Sequence, residues 1–231
     1  MGLLVLLGVV HKDPKGADRL WESLQEIKPQ ALGLEMSPLG LLWREKRSSQ
    51  LLERLDGILK EFPVPMRTQA HIRLIREALR LPFEYVACSH YAASRGVPLH
   101  LMDLNWVSRE ELPRYETEIL TRENLSSLLA MGRYNLKDTI TAAYARARRC
   151  LESNTSLQEL GINPPWSCKT GLVRESFLAC RVRNMALRYD PFLYVGGWVH
   201  LAEDPKGHSL ASRLRDLKPL RILLAGPDLG R

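Results

Sequence analysis

Long apolar runs are missing from this chain. No segment reaches about 18 uninterrupted apolar residues, so nothing in it reads as a membrane-spanning helix. Cysteine is sparse: Cys88, Cys150, Cys168 and Cys180 show no Cys-x-x-Cys spacing. A disulfide scaffold is therefore not expected, and a reducing cytoplasm is the expected compartment. The zinc-protease helix motif His-Glu-x-x-His is absent, as are a Gly-x-Ser-x-Gly elbow and a phosphate-binding P-loop. These absences weigh against serine esterase and phosphate-loop ATPase chemistry, and any metallohydrolase here must gather its ligands from separated segments.

Acidic residues are outnumbered. Lys and Arg exceed Asp and Glu by 7, and the isoelectric point is about 9.4. The excess is scattered, and clusters such as Arg44-Glu45-Lys46-Arg47 and Arg146-Ala147-Arg148-Arg149 fall in helical patterns. They read as solvated helix faces, and no zinc-finger, RNA-recognition or helix-turn-helix signature accompanies them, so no specific nucleic-acid partner is expected.

What is present is an alternation of elements. Strand-like runs occur at Leu3–Val10, Ala31–Glu35, Pro98–Asp103, Phe192–Gly196 and Leu220–Ala225, with helical periods between them. Leu3–Val10 is too short for a membrane span and lacks a basic leader, so it reads as the first strand. Helices are expected over 17–27, 39–62, 67–81, 83–95, 136–151 and 169–189, with stops at Lys28-Pro29, Pro63-Val64-Pro65, Pro82 and Gly96. The expected fold is α/β, a mostly parallel open sheet with flanking helices, built as one domain over 1–231 with a helical insertion at about 108–160.

Two tetrads stand out. Gly8-Val9-Val10-His11 and Gly197-Trp198-Val199-His200 each close an apolar strand-like run. In an open α/β sheet the ligand crevice lies beyond the carboxyl ends of the strands, so His11 and His200 are placed to meet although 189 positions apart. Glu35 and Asp103 end two other strands in the same way. A carboxylate closing an apolar strand is costly to bury without a positive partner. On the helix before the last His strand, Glu175, Ala179, Val182 and Ala186 share a small-residue face that points Glu175 toward the sheet. Arg174, Arg181 and Arg188 form a stripe more typical of a solvated face, which leaves Arg174 undecided. Two His and one or two carboxylates suit Zn, Mn, Fe or Co, and a metal so held would make hydroxide available near neutral pH.

With these residues in place, the chain resembles the TraB/PrgY and Tiki superfamily, which includes the GumN-like, ChaN-like and erythromycin-esterase-like proteins. The resemblance rests on the ordered series Gly8 to His11, Leu34-Glu35, Asp103, an Arg-acid pair on a helix, and Gly197 to His200, and it spans most of the chain. Family members of TraB type carry Arg-Asp before an aromatic and Met. This chain offers both Arg174-Glu175-Ser176-Phe177-Leu178 and Arg183-Asn184-Met185-Ala186 for that place, and has Leu104 where an Arg often follows the Asp.

The resemblance implies a metal-dependent hydrolase of a peptide or ester bond. His11, His200 and Glu35 would hold a divalent metal, Glu35, Glu175 and Arg174 would serve catalysis, and Asp103 and Arg183 would bind substrate. It leaves room for a metal-free erythromycin-esterase-like hydrolase with a His as general base, and for a non-catalytic ChaN-like iron or haem binder or a regulator. A small peptide or ester is the expected partner, and a homodimer is compatible with the sequence.

Overall fold

The structure, a computed structural model, describes residues 2–131, 135–153 and 155–226. All five strand-like runs form strands: β1 (Leu4–Val9), β2 (Ala31–Leu34), β3 (Leu99–Leu101), β4 (Phe192–Gly197) and β5 (Leu220–Leu223). They make one sheet in the order β3-β2-β4-β1-β5, and every pairing is parallel. Every residue of β1, β2 and β4 is buried. Both faces of the sheet are thus covered there, which is why these strands read as continuous apolar runs rather than alternating ones.

The chain runs outward from β1 to β2 and β3, returns to insert β4 between β2 and β1, and sets β5 outside β1. That reversal makes β1 and β4 neighbours, with Gly8 beside Gly196 and Val9 beside Gly197. His11 and His200 therefore leave the carboxyl ends of adjacent strands, where the chain changes direction across the sheet and open α/β folds place their crevice.

Helices form close to the expected positions. α1 (Gly16–Ile27) stops where Lys28 takes a left-handed conformation at φ 51° just before Pro29. α2 (Pro38–Leu59) starts behind Ser37, whose hydroxyl accepts from the Gly40 N–H at 2.8 Å, with Pro38 in the first turn where its missing N–H is not needed. The helix expected over 67–81 is α4 (Ala70–Leu79), which starts after the backbone turns extended at Gln69, and a separate four-residue helix, α3 (Val64–Arg67), forms at the expected stop Pro63-Val64-Pro65. α5 (Phe83–Arg95) has the bounds its sequence pattern marks, with Gly96 at φ 65° ending it.

α6 (Asn105–Glu111), a π-helical turn at Tyr115–Ile119, α7 (Arg122–Ala130) and α8 (Leu136–Glu152) follow without a strand. α9 (Lys169–Ala186) and the single turn α10 (Leu210–Arg213) complete the set. No helix among the described residues is long and apolar enough to cross a membrane.

The chain divides into two compact units, which alters the expected layout of one domain with an insertion at 108–160. The sheet unit comprises Met1–Met36, Phe83–Asp103 and Thr139–Arg231, and the helical unit comprises Ser37–Pro82 and Leu104–Asp138. The helical unit thus takes α2 to α4 as well, and residues from 139 onward return to the sheet unit. Its core is Leu51, Leu55 and Leu59 of α2 packed with Ile72, Ile75 and Leu79 of α4 and with Leu120, Leu125 and Leu129. In the sheet unit, Leu4, Leu6, Ala31, Phe192 and Tyr194 form one apolar cluster with Leu178, Ala179, Val182 and Ala186 of α9 and with Leu210 and Ala211 of α10. α5 packs against β2 and pairs with α1.

Candidate active site

The polar residues at the strand ends are gathered by short, specific contacts, all within the sheet unit. Glu35 follows β2 directly. Its Oε1 accepts from Arg174 Nη2 at 2.6 Å and from His200 Nε2 at 3.0 Å, and its Oε2 accepts from the Gly197 N–H at 2.6 Å. Burial alone would raise its pKa, yet His200 and Arg174 hold it well below the usual carboxylate value. Asp103 follows β3 and takes Arg174 in a two-pronged pair, Nε to Oδ1 at 2.9 Å and Nη2 to Oδ2 at 2.7 Å. Burial opposes the charge on Arg174, but Glu35 and Asp103 outweigh it and raise the guanidinium pKa.

Arg174 and Glu175 lie in the second turn of α9. The first turn of that helix sits so tightly on the 3-10 turn Pro165–Ser167 that a Cβ at Gly171 would fall 1.7 Å from the Pro165 carbonyl oxygen. This anchorage sets the register in which successive residues serve different partners. Arg174 joins Glu35 and Asp103, whereas Glu175, fully buried, accepts from His200 Nδ1 through Oε1 and from the Leu210 N–H at 2.6 Å through Oε2.

His200 stands on a 3-10 turn, Trp198–Leu201, that follows β4 directly. Only 2% of it is exposed, and each ring nitrogen faces a carboxylate. Burial disfavours its positive charge, but Glu35 and Glu175 push its pKa up to about 10. The ring is therefore an imidazolium at neutral pH, donating from both nitrogens.

His11 differs. Its side chain is 55% exposed, and Nδ1 lies 2.7 Å from Oε1 of the buried Glu84 on α5. A carboxylate only accepts, so the neutral ring carries its proton on Nδ1 and leaves the Nε2 lone pair free. Desolvation pulls the pKa down and Glu84, with a smaller share from Glu35, pulls it up, and the balance lies above the ordinary value. Nε2 rests against the backbone of Gly197. A Cβ there would come within 2.8 Å of that nitrogen and 3.5 Å of Glu35 Oε2, so the absence of a side chain is what lets the two approach.

The structure thus brings His11, Glu35, Asp103, Arg174, Glu175 and His200 around one strand-end region. It does not bring Arg183 there: Arg183 binds Asp216 at 2.5 and 2.8 Å and donates to the Arg213 carbonyl. Of the two Arg pairs that fit the sequence pattern, only Arg174-Glu175 reaches the strand ends. Asp103, expected to touch substrate, has both carboxylate oxygens engaged by Arg174.

The residues expected to hold a metal, His11, His200 and Glu35, lie in this region with one direct contact among them. His200 Nε2 and Glu35 Oε1 are bonded to each other, and among the described residues no three His, Cys, Asp or Glu side chains are grouped to hold an ion. Two site residues had no motif to mark them: Glu84, in the first turn of α5, and Tyr194, inside the apolar run of β4. Compared with protein-family models, with curated proteins and with solved structures, the chain matches none.

Proposed function

We propose that the sheet unit is a hydrolase of an ester or peptide bond in which His11 is the general base. The observation that carries the reading is the His11–Glu84 pair: a half-exposed imidazole whose Nδ1 is fixed by a buried carboxylate and whose Nε2 is open beside the Glu35 cluster. That is the form of an oriented base. Nε2 takes a proton from water while the water oxygen bonds to the substrate carbonyl carbon. Glu84 stabilises the imidazolium that results, and the same proton passes to the leaving oxygen or nitrogen as its bond to carbon breaks.

Arg174 supplies the opposite polarity. Its Nε and Nη2 are committed to Asp103 and Glu35, its side chain is 23% exposed, and among the described residues nothing accepts from Nη1. A rigidly held guanidinium with one outward nitrogen suits the developing oxyanion or a substrate carboxylate. His200 has both ring nitrogens committed to carboxylates, which leaves none for substrate. It bridges Glu175 and Glu35 and so helps to keep Glu35 against Arg174.

Screening of peptide and ester substrates tests the reading. His11→Ala is expected to lower kcat/KM by at least about a hundredfold, the low end for loss of a general base, and to lower the melting temperature as well because the buried Glu84 loses its partner, whereas His11→Gln, which retains a donor, should lose the activity with a smaller change in stability. Wild-type turnover by a folded His11→Ala protein sinks it.

A metal-dependent form of the same reading is favoured by one observation. His11 and His200 both have Nδ1 held by a buried glutamate, the arrangement that commonly orients metal-binding imidazoles. His11, His200 and Glu35 would then hold Mn, Zn, Co or Fe, which supplies a bound water of lowered pKa. The His200–Glu35 contact must open first, and a protonated His200 competes with any ion. Hydrolysis that survives exhaustive chelation supports the metal-free form. Hydrolysis lost on chelation and restored by one of these ions, together with stoichiometric metal that a His11→Ala, His200→Ala double variant loses, supports the other.

A further inference from the structure

Tyr194 is fully buried on β4, yet its hydroxyl has no hydrogen-bond partner among the described residues. The charged side chains around it are answered: Glu35 by Arg174, His200 and the Gly197 N–H, Asp103 by Arg174, and Glu175 by His200 and the Leu210 N–H. An orphaned buried phenol is a cost that phenylalanine would avoid, so its place at such a site calls for a ligand.

Gly196 shows which acceptor lies beside the phenol. A Cβ on Gly196 would come 2.7 Å from Tyr194 Oη, from the Cε1 of the same ring and from Glu35 Oε2, so both oxygens border the strand end at Gly196. Glu35 Oε2 also borders Gly197, against which His11 Nε2 rests. One acceptor oxygen is therefore common to the phenol and to the base. The phenol is a donor at any working pH, since burial, reinforced by Glu35, raises its pKa well above the ordinary value.

We propose that Tyr194 is a further catalytic residue, whose Oη together with Glu35 Oε2 binds the hydrolytic water at the Gly196–Gly197 strand end. The inference rests on the hydrolase reading for what the water does, but not for whether it is bound. Tyr194 donates to the water oxygen, Glu35 accepts one of its hydrogens, and the other hydrogen is left for His11.

Crystal structures of the wild type and of Tyr194→Phe, at a resolution that shows ordered water, test the binding. Expected is an oxygen within hydrogen-bond distance of both Tyr194 Oη and Glu35 Oε2 in the wild type, lost or displaced in the variant. No such oxygen, a direct Tyr194–Glu35 bond, or the same water undisturbed in the variant overturns the proposal. With a substrate in hand, Tyr194→Phe is expected to lower kcat at least tenfold with KM nearly unchanged, and an unchanged kcat also overturns it. A wild type that hydrolyses nothing removes the hydrolase reading, while the crystallographic comparison still decides whether Tyr194 holds a water.

Discussion

Replacing Glu175 by alanine is expected to destabilise the protein by about 3–5 kcal/mol, the usual penalty for removing one partner of a buried ion pair. Glu175 is fully buried and His200 is 2% exposed, so neither charge has water to fall back on. Loss of the carboxylate strands the His200 Nδ1–H and also the Leu210 N–H that donates to Oε2, at the start of α10. Glu175→Gln keeps the shape and an acceptor but removes the charge, so it should lie between the wild type and the alanine variant. Urea unfolding followed by circular dichroism measures both. A loss below about 1 kcal/mol in Glu175→Ala, the range of exposed pairs, would show that water reaches this contact and that His200 is not locked. Since net stabilities run to only about 5–15 kcal/mol, the alanine variant stands close to the limit of folding.

This pair also shows why parts of the site were legible before the fold was known and others were not. His11 and His200 end apolar runs, and a parallel sheet turns that one-dimensional position into a shared edge once β4 is inserted beside β1. Glu35 and Asp103 were visible for the same reason. On α9 the pattern left two candidates, and helix geometry separates them. Arg174 and Arg183 are nine residues apart, which at about 3.6 residues per turn places them on opposite faces, so one helix cannot bring both to the strand ends.

The stripe of Arg174, Arg181 and Arg188 left Arg174 undecided because a seven-residue period marks a face without telling how far along the helix that face is covered. Glu84 had no signature. A glutamate in the first turn of a helix ordinarily answers the helix dipole at the surface, and only the packing of α5 against α1 and β2 buries it, with His11 on its carboxylate. Tyr194 reads as one more core aromatic, because an apolar run does not reveal whether a phenol within it finds a partner.

The division into two units was hidden for a related reason. α2 and α4 each have the length and period of a crossover helix between parallel strands, and nothing local tells a helix that covers a sheet from one that packs in a bundle. Leu51, Leu55 and Leu59 form a stripe that would serve either purpose. What decides it is the partner surface, the stripe Ile72, Ile75 and Leu79, and that is a tertiary fact.

The sharpest consequence of the buried pair is a stability that declines on the alkaline side. His200 has its pKa raised from 6.5 to about 10 in the folded protein. Below about pH 6.5 the ring is protonated in both folded and unfolded chains, and the His200 contribution is fully present. Between about 6.5 and 10 only the folded chain keeps the proton, so each pH unit removes up to about 1.4 kcal/mol, and above 10 the contribution is gone. The full span is on the order of 5 kcal/mol, an upper figure because the same contacts also stabilise Glu35.

Glu35 gives the opposite limb. Its pKa is depressed well below 4.5, so its share is present above that value and is lost as the pH falls through its folded pKa. The His200–Glu35 contact is therefore strongest between the two limbs, from about pH 4.5 to 6.5. Other groups titrate on the alkaline side, His11 among them, so the measurement is the difference in urea midpoint between the wild type and His200→Gln at pH 6, 8 and 9.5. That difference should shrink steadily as pH rises, because glutamine has no proton to lose. A difference that stays constant across this range would mean that His200 is neutral in the folded protein. Its Nε2 would then be open to a metal ion, and the metal-dependent form of the hydrolase would become the better account of the site.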